Sequence, residues 1–262
     1  VGTFHAAGEQ PAYKKLSALA TWFGNRLDAR VAVSEEAKLM VADVMKDDVR
    51  VLFNGVEGDR FRNAEPWPSS SPTVFFLGRH EPRKGLEVLL RAAAELPDDT
   101  QIWIGGTGPQ TEDLKQRYPD PRVHWLGRIT DQERERRMSA ATVFCAPSLG
   151  GESFGIILLE AMAAQTTVVA SSISGYSQVA HSPHGLAAEL VEPGNPAALA
   201  LALNKVLREP KLTESLRAAG MVRAKEFDLE LLCDEYLAIY SDLIAAAHEA
   251  PPKVTSLRVR VR

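Results

Sequence analysis

Two glutamates eight positions apart, Glu152 and Glu160, bracket Ser153-Phe154-Gly155-Ile156 and follow a Gly150-Gly151 pair. Two glycines let a backbone come close to a ligand. Ser153 has the side chain of a helix N-cap, an arrangement that leaves the amides of Phe154, Gly155 and Ile156 facing an anion at a helix's positive end. Glu152 stands just ahead of that helix. Glu160 lies two turns inside, the single charge in an otherwise apolar stretch. A carboxylate buried there is costly unless hydrogen-bonded, and a ligand's paired hydroxyls would satisfy it. One exposed acid on a half-buried helix would carry the same sequence.

A second stretch, Gly78-Arg79-His80-Glu81-Pro82-Arg83-Lys84-Gly85, holds three strong cations within six residues. Placed between a buried strand and a helix, it combines positive charge with free backbone N–H groups, which suits a phosphate. A solvated basic loop is the alternative. A third, Gly105-Gly106-Thr107-Gly108-Pro109, resembles a dinucleotide fingerprint, but Thr111 stands where its last glycine would fall. A tight turn is the better reading, and a nicotinamide-dependent oxidoreductase is disfavoured accordingly. His5 closes a strand-like run, Val1 to Phe4, where an imidazole is either packed or functional.

The elements that must position these groups follow from periodicity. Apolar strand-like runs at Val74–Leu77, Ile102–Ile104, Val123–Leu126, Val143–Ala146 and Thr167–Ala170 alternate with helix-like runs. The latter lie at Leu86–Leu96, Thr111–Arg117, Gln132–Ala140 and Phe154–Ala164. Strands alternating with helices of this length predict βαβ units and a parallel sheet, so the chain belongs to the α/β class. Ligands in such sheets bind beyond the carboxyl ends of the strands, where the loops above fall.

Upstream, the pattern predicts a buried strand over Val1–Phe4 and a helix from about Ala12 to Leu27, with Phe23 on its apolar face. Shorter strands at Ala29–Val33 and Val49–Phe53 flank a helix that Ser34 caps. The Pro- and Ser-rich stretch Asn63–Pro72 is the best boundary in the chain. Three further helices are expected near Pro196–Arg208, Leu212–Lys225 and Leu229–Ala247, the last long enough to pack on another domain. The domains expected are therefore 1–65, 66–225 and a final helix with its tail, 226–262.

The 262 residues are 45% hydrophobic and 24% charged, with a net charge of -4, so no basic field calls for nucleic acid. The basic ending, Arg258, Arg260 and Arg262, reads as a solvated terminus. Cys145 and Cys233 are the only cysteines, too few for a disulfide framework or metal cluster, which suits a reducing cytoplasm. No apolar stretch has the length of a membrane span.

With Gly-Gly ahead of it, Glu-x7-Glu within Glu152-Ser153-Phe154-Gly155-Ile156-Ile157-Leu158-Leu159-Glu160-Ala161-Met162 resembles the retaining, GT-B-fold glycosyltransferases of family four. Phe76-Leu77-Gly78-Arg79 with Arg83-Lys84-Gly85 resembles that family's pyrophosphate-binding stretch. Within the family, Thr3-Phe4-His5, Ala32-Val33-Ser34, Asn54-Gly55-Val56 and Cys145-Ala146-Pro147 point to the branch acting on phosphatidylinositol.

The resemblance implies two Rossmann-like domains with parallel sheets, the first incomplete, its opening strand and Gly-rich loop lying upstream with on the order of 100 residues. It implies GDP-mannose as donor and a lipid or polyol acceptor, phosphatidylinositol-like. UDP- or ADP-linked sugars, or a non-catalytic nucleotide-sugar-binding domain, are the alternatives. Arg79 and Lys84 would neutralise the diphosphate, and the amides of Phe154, Gly155 and Ile156 would hold its distal phosphate. Glu152 would bind the transferred sugar, Glu160 the ribose hydroxyls, and Ile129 with Asp131 the nucleobase. His5 would lie by the anomeric carbon. No metal or cofactor is required on this reading, a divalent cation at most stimulating. A cytoplasmic protein touching the inner face of the plasma membrane is expected, Lys14-Lys15 being one candidate contact.

Overall fold

The computed structural model describes residues 1–5, 17–42, 49–183 and 185–249. Lys14-Lys15 and the terminal arginines therefore lie outside the described residues, as does the first part of the helix expected from Ala12.

Six strands form the larger sheet: β4 (Thr73–Leu77), β5 (Gln101–Gly105), β6 (Val123–Gly127), β7 (Val143–Ala146), β8 (Thr167–Ser171) and β11 (Glu189–Val191), while β9 (His181–Ser182) and β10 (Gly185–Leu186) form a separate antiparallel pair. Their order is β11-β8-β7-β4-β5-β6, and every neighbouring pair is parallel. Counted within this sheet alone, that is the doubly wound order 3-2-1-4-5-6, whose direction of winding reverses between β4 and β7. The apolar strands follow from burial on both faces. Phe75, Trp103, Phe144, Val168 and Ala170 enter one core, while Val74, Phe76, Ile102, Ile104, Val143, Cys145 and Val169 enter the other. Neighbours alternate because successive strand side chains point to opposite faces.

Helices cover both faces. The second core is closed by α4 (Leu86–Ala92), α5 (Thr111–Arg117) and α9 (Pro196–Arg208) through Leu86, Leu89, Leu114, Leu199 and Leu203. The first is closed by α6 (Asp131–Ala140), α7 (Ile156–Ala163), α8 (Ser174–Ala180) and α10 (Pro210–Glu226). Among these helices, Thr111–Arg117 and Pro196–Arg208 match the predicted bounds. The run expected as one helix to Leu96 stops at Ala92 and finishes in a 3-10 turn, Ala93–Glu95. Pro97 is the reason: the residue before a proline is pushed out of the α region, and Leu96 has ψ 155°.

A smaller parallel sheet holds β1 (Gly2–Phe4), β2 (Arg30–Ala32) and β3 (Arg50–Val51) in that order. Between its strands lie α1 (Ser17–Gly24) and α2 (Glu35–Ala42). Ser34 Oγ accepts from the Ala37 amide at 3.0 Å, the predicted cap. One face carries Ala32, Val33, Ala37, Val41 and Val49; on the other, Val31 and Leu52 meet Ile239 of α11 (Leu229–Glu249). Two expectations fail here. β1 is not buried, since Thr3 is exposed at the sheet's edge. Phe23, expected on an apolar face, is 59% exposed and meets Trp22 edge-on.

The stretch between Asn63 and Pro72 is irregular but pinned: the Trp67 amide donates to the Arg136 carbonyl at 2.9 Å, and the Arg137 guanidinium lies 4.1 Å from its ring centroid. It follows α3 (Gly58–Arg62), a short helix with no apolar period to announce it. A bridge between Val56 and Asp228 and a cluster of Phe53, Phe154 and Phe227 join the chain near β3 to the larger sheet. No helix among the described residues is long and apolar enough to cross a membrane.

The core makes a direct prediction. Phe144 is buried and meets Phe75 edge-on at 5.8 Å. Phe144→Ala should cost about 3–5 kcal/mol in denaturant unfolding. Leu201→Ala, at a position 73% exposed on α9, should stay within about 0.5 kcal/mol.

Candidate active site

The winding reversal separates the loop after β4 from the loop after β7, and one glycine brings these loops together. Gly85 has φ 67°, and a Cβ there would fall 1.9 Å from the Pro147 carbonyl oxygen. No other residue fits so close to a backbone. The Leu149 amide then donates to the Arg83 carbonyl at 2.7 Å. The third glycine-rich loop is fitted in the same way: Cβ atoms on Gly106 and Gly108 would strike the backbones of Gly78 and His80. Thr111, the residue that spoiled the fingerprint, accepts from the Gly108 amide at 2.9 Å and bonds the buried His80 ring at 2.8 Å. That loop is therefore a packing turn.

These contacts bring the basic loop onto Glu152. Its Oε1 accepts from Lys84 Nζ at 2.7 Å, from an Arg83 terminal nitrogen at 3.0 Å and from Ser148 Oγ at 3.3 Å. The group borders a cavity of about 360 Å³ at the carboxyl ends of β4 and β7. Lys84, Glu152, Ser153, Phe154, Gly155 and Ile156 line it together, with Asn54 contributing from the chain after β3. Cys145 also lines it, but complete burial raises its thiol pKa far above the ordinary value, so it is an inert wall.

Ser153 is not the cap of α7. The helix begins at Ile156, and its N-cap is Gly155 at φ 96°, a left-handed conformation that Ser153 would not supply. Glycine is needed there because a Cβ would fall 2.7 Å from the Tyr176 ring. The amides of Phe154 and Gly155 thus belong to the turn entering α7, and only that of Ile156 to its first helical turn.

Glu160 is largely but not fully buried, its side chain 13% exposed, and its carboxylate lies 3.2 Å from Arg134 of α6. Burial raises its pKa, the guanidinium opposing that shift only in part. Arg134 lines the cavity and reaches Asp131 at 3.5 Å, while its Nε is buried without a hydrogen-bond partner. Asp131 itself opens α6 at 75% exposure. Ile129 packs beside Gly105 at the ends of β5 and β6. Arg79 is 71% exposed, 3.6 Å from Glu81, and lines an adjoining cleft with Arg128 and Gly106–Pro109. His5 is exposed at the end of β1 and does not line the cavity.

Sequence reasoning held Arg83 only as one of the three cations of the basic loop, not as a partner of Glu152, and missed Ser148, Tyr176, Arg134 and Asn54 as site residues. Tyr176 gave no signal, because Ser174-Gly175 reads as loop where α8 begins. Arg134 sits in a run of charges that reads as a solvated face, Asp131 to Arg137.

Comparisons with known proteins give the chain a family. A family described as glycosyl transferases group 1 matches residues 71–209. Over 251 residues the chain is 36% identical to the phosphatidyl-myo-inositol mannosyltransferase of Mycobacterium leprae, covering 92% of this chain and 66% of that protein. It is 31% identical to the alpha-maltose-1-phosphate synthase of Mycolicibacterium smegmatis over 253 residues, 83% of this chain and 64% of that one. The solved structure of sucrose-phosphate synthase from Thermosynechococcus elongatus superimposes with a TM-score of 0.76 at 26% identity, covering 92% of this chain and 65% of that one. The chain thus spans just under two thirds of the length of these curated relatives.

Two predictions follow from the geometry. Gly85→Ala should cost at least about 1–3 kcal/mol, since it adds left-handed strain to a backbone clash; an unchanged unfolding curve would mean the loops are not in contact. For Glu160, folding favours the protonated form, so its ionisation weighs against the folded state as pH rises above the ordinary value of 4.5. Between about pH 4 and 7 the melting temperature of Glu160→Gln should therefore gain on that of the parent. A constant difference would place Glu160 in solvent.

Proposed function

The chain belongs to the group 1 glycosyltransferases, its fold is of the GT-B type, and from that premise we propose that it carries the donor site of an enzyme that transfers mannose from GDP-mannose to a phosphatidylinositol-like acceptor with retention of configuration. The observation that carries this reading is the meeting of Lys84, Glu152 and the turn into α7 around one cavity at the winding reversal of a parallel sheet. The family match over residues 71–209 supports a donor domain over 66–225, following an acceptor-side domain at 1–65 and followed by the helix and tail of 226–262.

On this reading Lys84 and Arg79 meet the donor's diphosphate, and the amides of Phe154, Gly155 and Ile156 hold its outer phosphate. Transfer needs the departing diphosphate stabilised while the anomeric carbon becomes cationic, and these groups supply that charge without a metal. The leaving phosphate takes the acceptor's proton on the face it departs from, which retains configuration. Glu152 orients the sugar through its hydroxyls. Glu160, held by Arg134, binds the ribose hydroxyls, and the chain around Ile129 and Asp131 faces the nucleobase. His5, at the end of β1, is assigned to the anomeric carbon by the family resemblance, although it does not line the cavity. The acceptor reading draws on the relative named phosphatidyl-myo-inositol mannosyltransferase, and implies work at the inner face of a membrane. The likeness to alpha-maltose-1-phosphate synthase favours one second reading, the same chemistry with a different nucleotide-sugar and a soluble acceptor.

Calorimetry with GDP, UDP and ADP separates the two readings, GDP binding tightest on the first. Lys84→Ala and Arg79→Ala should each weaken GDP binding roughly ten- to a hundredfold, a charge-assisted bond being worth about 1.5–3 kcal/mol. Guanosine binding should change little, because the lost contact is to phosphate. Equal losses for GDP and guanosine would make the basic loop merely structural.

A further inference from the structure

All the hydrogen bonds described for Glu152 fall on Oε1 and none on Oε2. The carboxylate therefore has one anchored oxygen and one left over at the cavity. Two of the three anchors are the cations Arg83 and Lys84, and a bound diphosphate would compete for both. The third is neutral. Ser148 is buried, and its Oγ donates to Glu152 Oε1 at 3.3 Å. Having given its single proton to the carboxylate, Ser148 must accept from Tyr176, whose hydroxyl lies 3.0 Å away.

Tyr176 is itself held still. It is buried to 2% exposure, and its ring lies against Gly155, leaving no room for a Cβ there. Gly175 beside it would, with a Cβ, fall 2.1 Å from the Glu152 carbonyl oxygen. The start of α8 is thus pressed against the loop that carries the carboxylate. Burial, with the nearby Glu152 charge, raises the tyrosine pKa well above its usual value, so the hydroxyl stays a donor.

We propose that Ser148 and Tyr176 are positioning residues, a chain Tyr176 → Ser148 → Glu152 that holds Oε1 when donor phosphate draws Lys84 and Arg83 away, so that Oε2 meets the sugar's hydroxyls. This rests on the transferase reading above. The chain keeps the carboxylate oriented at the moment its cationic partners turn to the diphosphate, and a carboxylate that swung free would lose the alignment transfer depends on. Ser148 and Tyr176 border the cavity as well, and on this proposal they act through Glu152.

The test uses the full-length protein with GDP-mannose and phosphatidylinositol in mixed micelles. Tyr176→Phe keeps the ring packed and removes only the hydroxyl; Ser148→Ala removes the middle link, and Ser148→Thr restores a hydroxyl. Tyr176→Phe and Ser148→Ala should each lower kcat about tenfold while leaving GDP affinity within about twofold, and Ser148→Thr should recover most of the rate. An unchanged kcat overturns the proposal, as does a loss of GDP affinity that matches the loss of rate. A second arm needs no donor. The melting shifts of Glu152→Ala and Tyr176→Phe should fail to add in the double variant, because the first removes the acceptor and the second the first donor of one chain. Additive shifts also overturn the proposal. If the parent binds no guanine nucleotide, the GDP-mannose reading fails instead, and the double variant still decides whether the chain holds Glu152.

Discussion

The closeness of Gly85 to the Pro147 carbonyl governs the carboxyl edge of the larger sheet. A parallel sheet wound in both directions leaves a crevice where its winding reverses, because the helices after the two central strands depart to opposite faces. Such a crevice is only an opening until the loops that flank it meet. Here they meet through a backbone contact that no side chain would permit, and the Leu149–Arg83 hydrogen bond then fixes their register. Lys84 and Glu152, 68 positions apart in sequence, become partners as a result.

That pairing sets the electrostatics of the cavity. Without donor, two cations share one carboxylate oxygen, so each charge has a partner before any ligand enters. On the function proposed above, a donor's diphosphate would compete with that carboxylate for both cations. Glu160 follows a different rule. It is largely buried and faces one guanidinium, and the desolvation it suffers exceeds what Arg134 returns. An acid in that condition gains from hydroxyl donors that approach from the cavity.

Much of this was legible in the sequence, and the limits have physical causes. Continuous apolar runs such as Thr73 to Leu77 mark strands covered on both faces, and the helix bounds Thr111–Arg117 and Pro196–Arg208 follow from apolar period, Pro196 and the charges at the ends. Glycine pairs and clustered cations drew attention to the right loops. Pairings across those loops were not legible, because Arg83 and Glu152 are joined by tertiary approach alone. Ser153 has the chemistry of a cap, yet local chemistry was overruled by the ring of Tyr176, which only a left-handed glycine accommodates. The segment Ser174 to Ala180 is helical against its own propensity, since packing over Glu152 and Gly155 compensates for serine and glycine at its start.

The two cysteines differ in a way that reaches beyond chemistry at the site. Cys145 lies sealed in the core, its thiol held protonated, whereas Cys233 is exposed on α11, the helix that rests on the smaller sheet. A maleimide or spin label added to the folded protein will therefore enter at one place among the described residues. That place rides on the helix whose first turn is tied to Val56 and whose later turns meet Val31 and Leu52. The unaltered molecule so carries its own attachment point for a probe, and any rearrangement of the smaller sheet that shifts this helix against the six-stranded one can be followed without cysteine replacement.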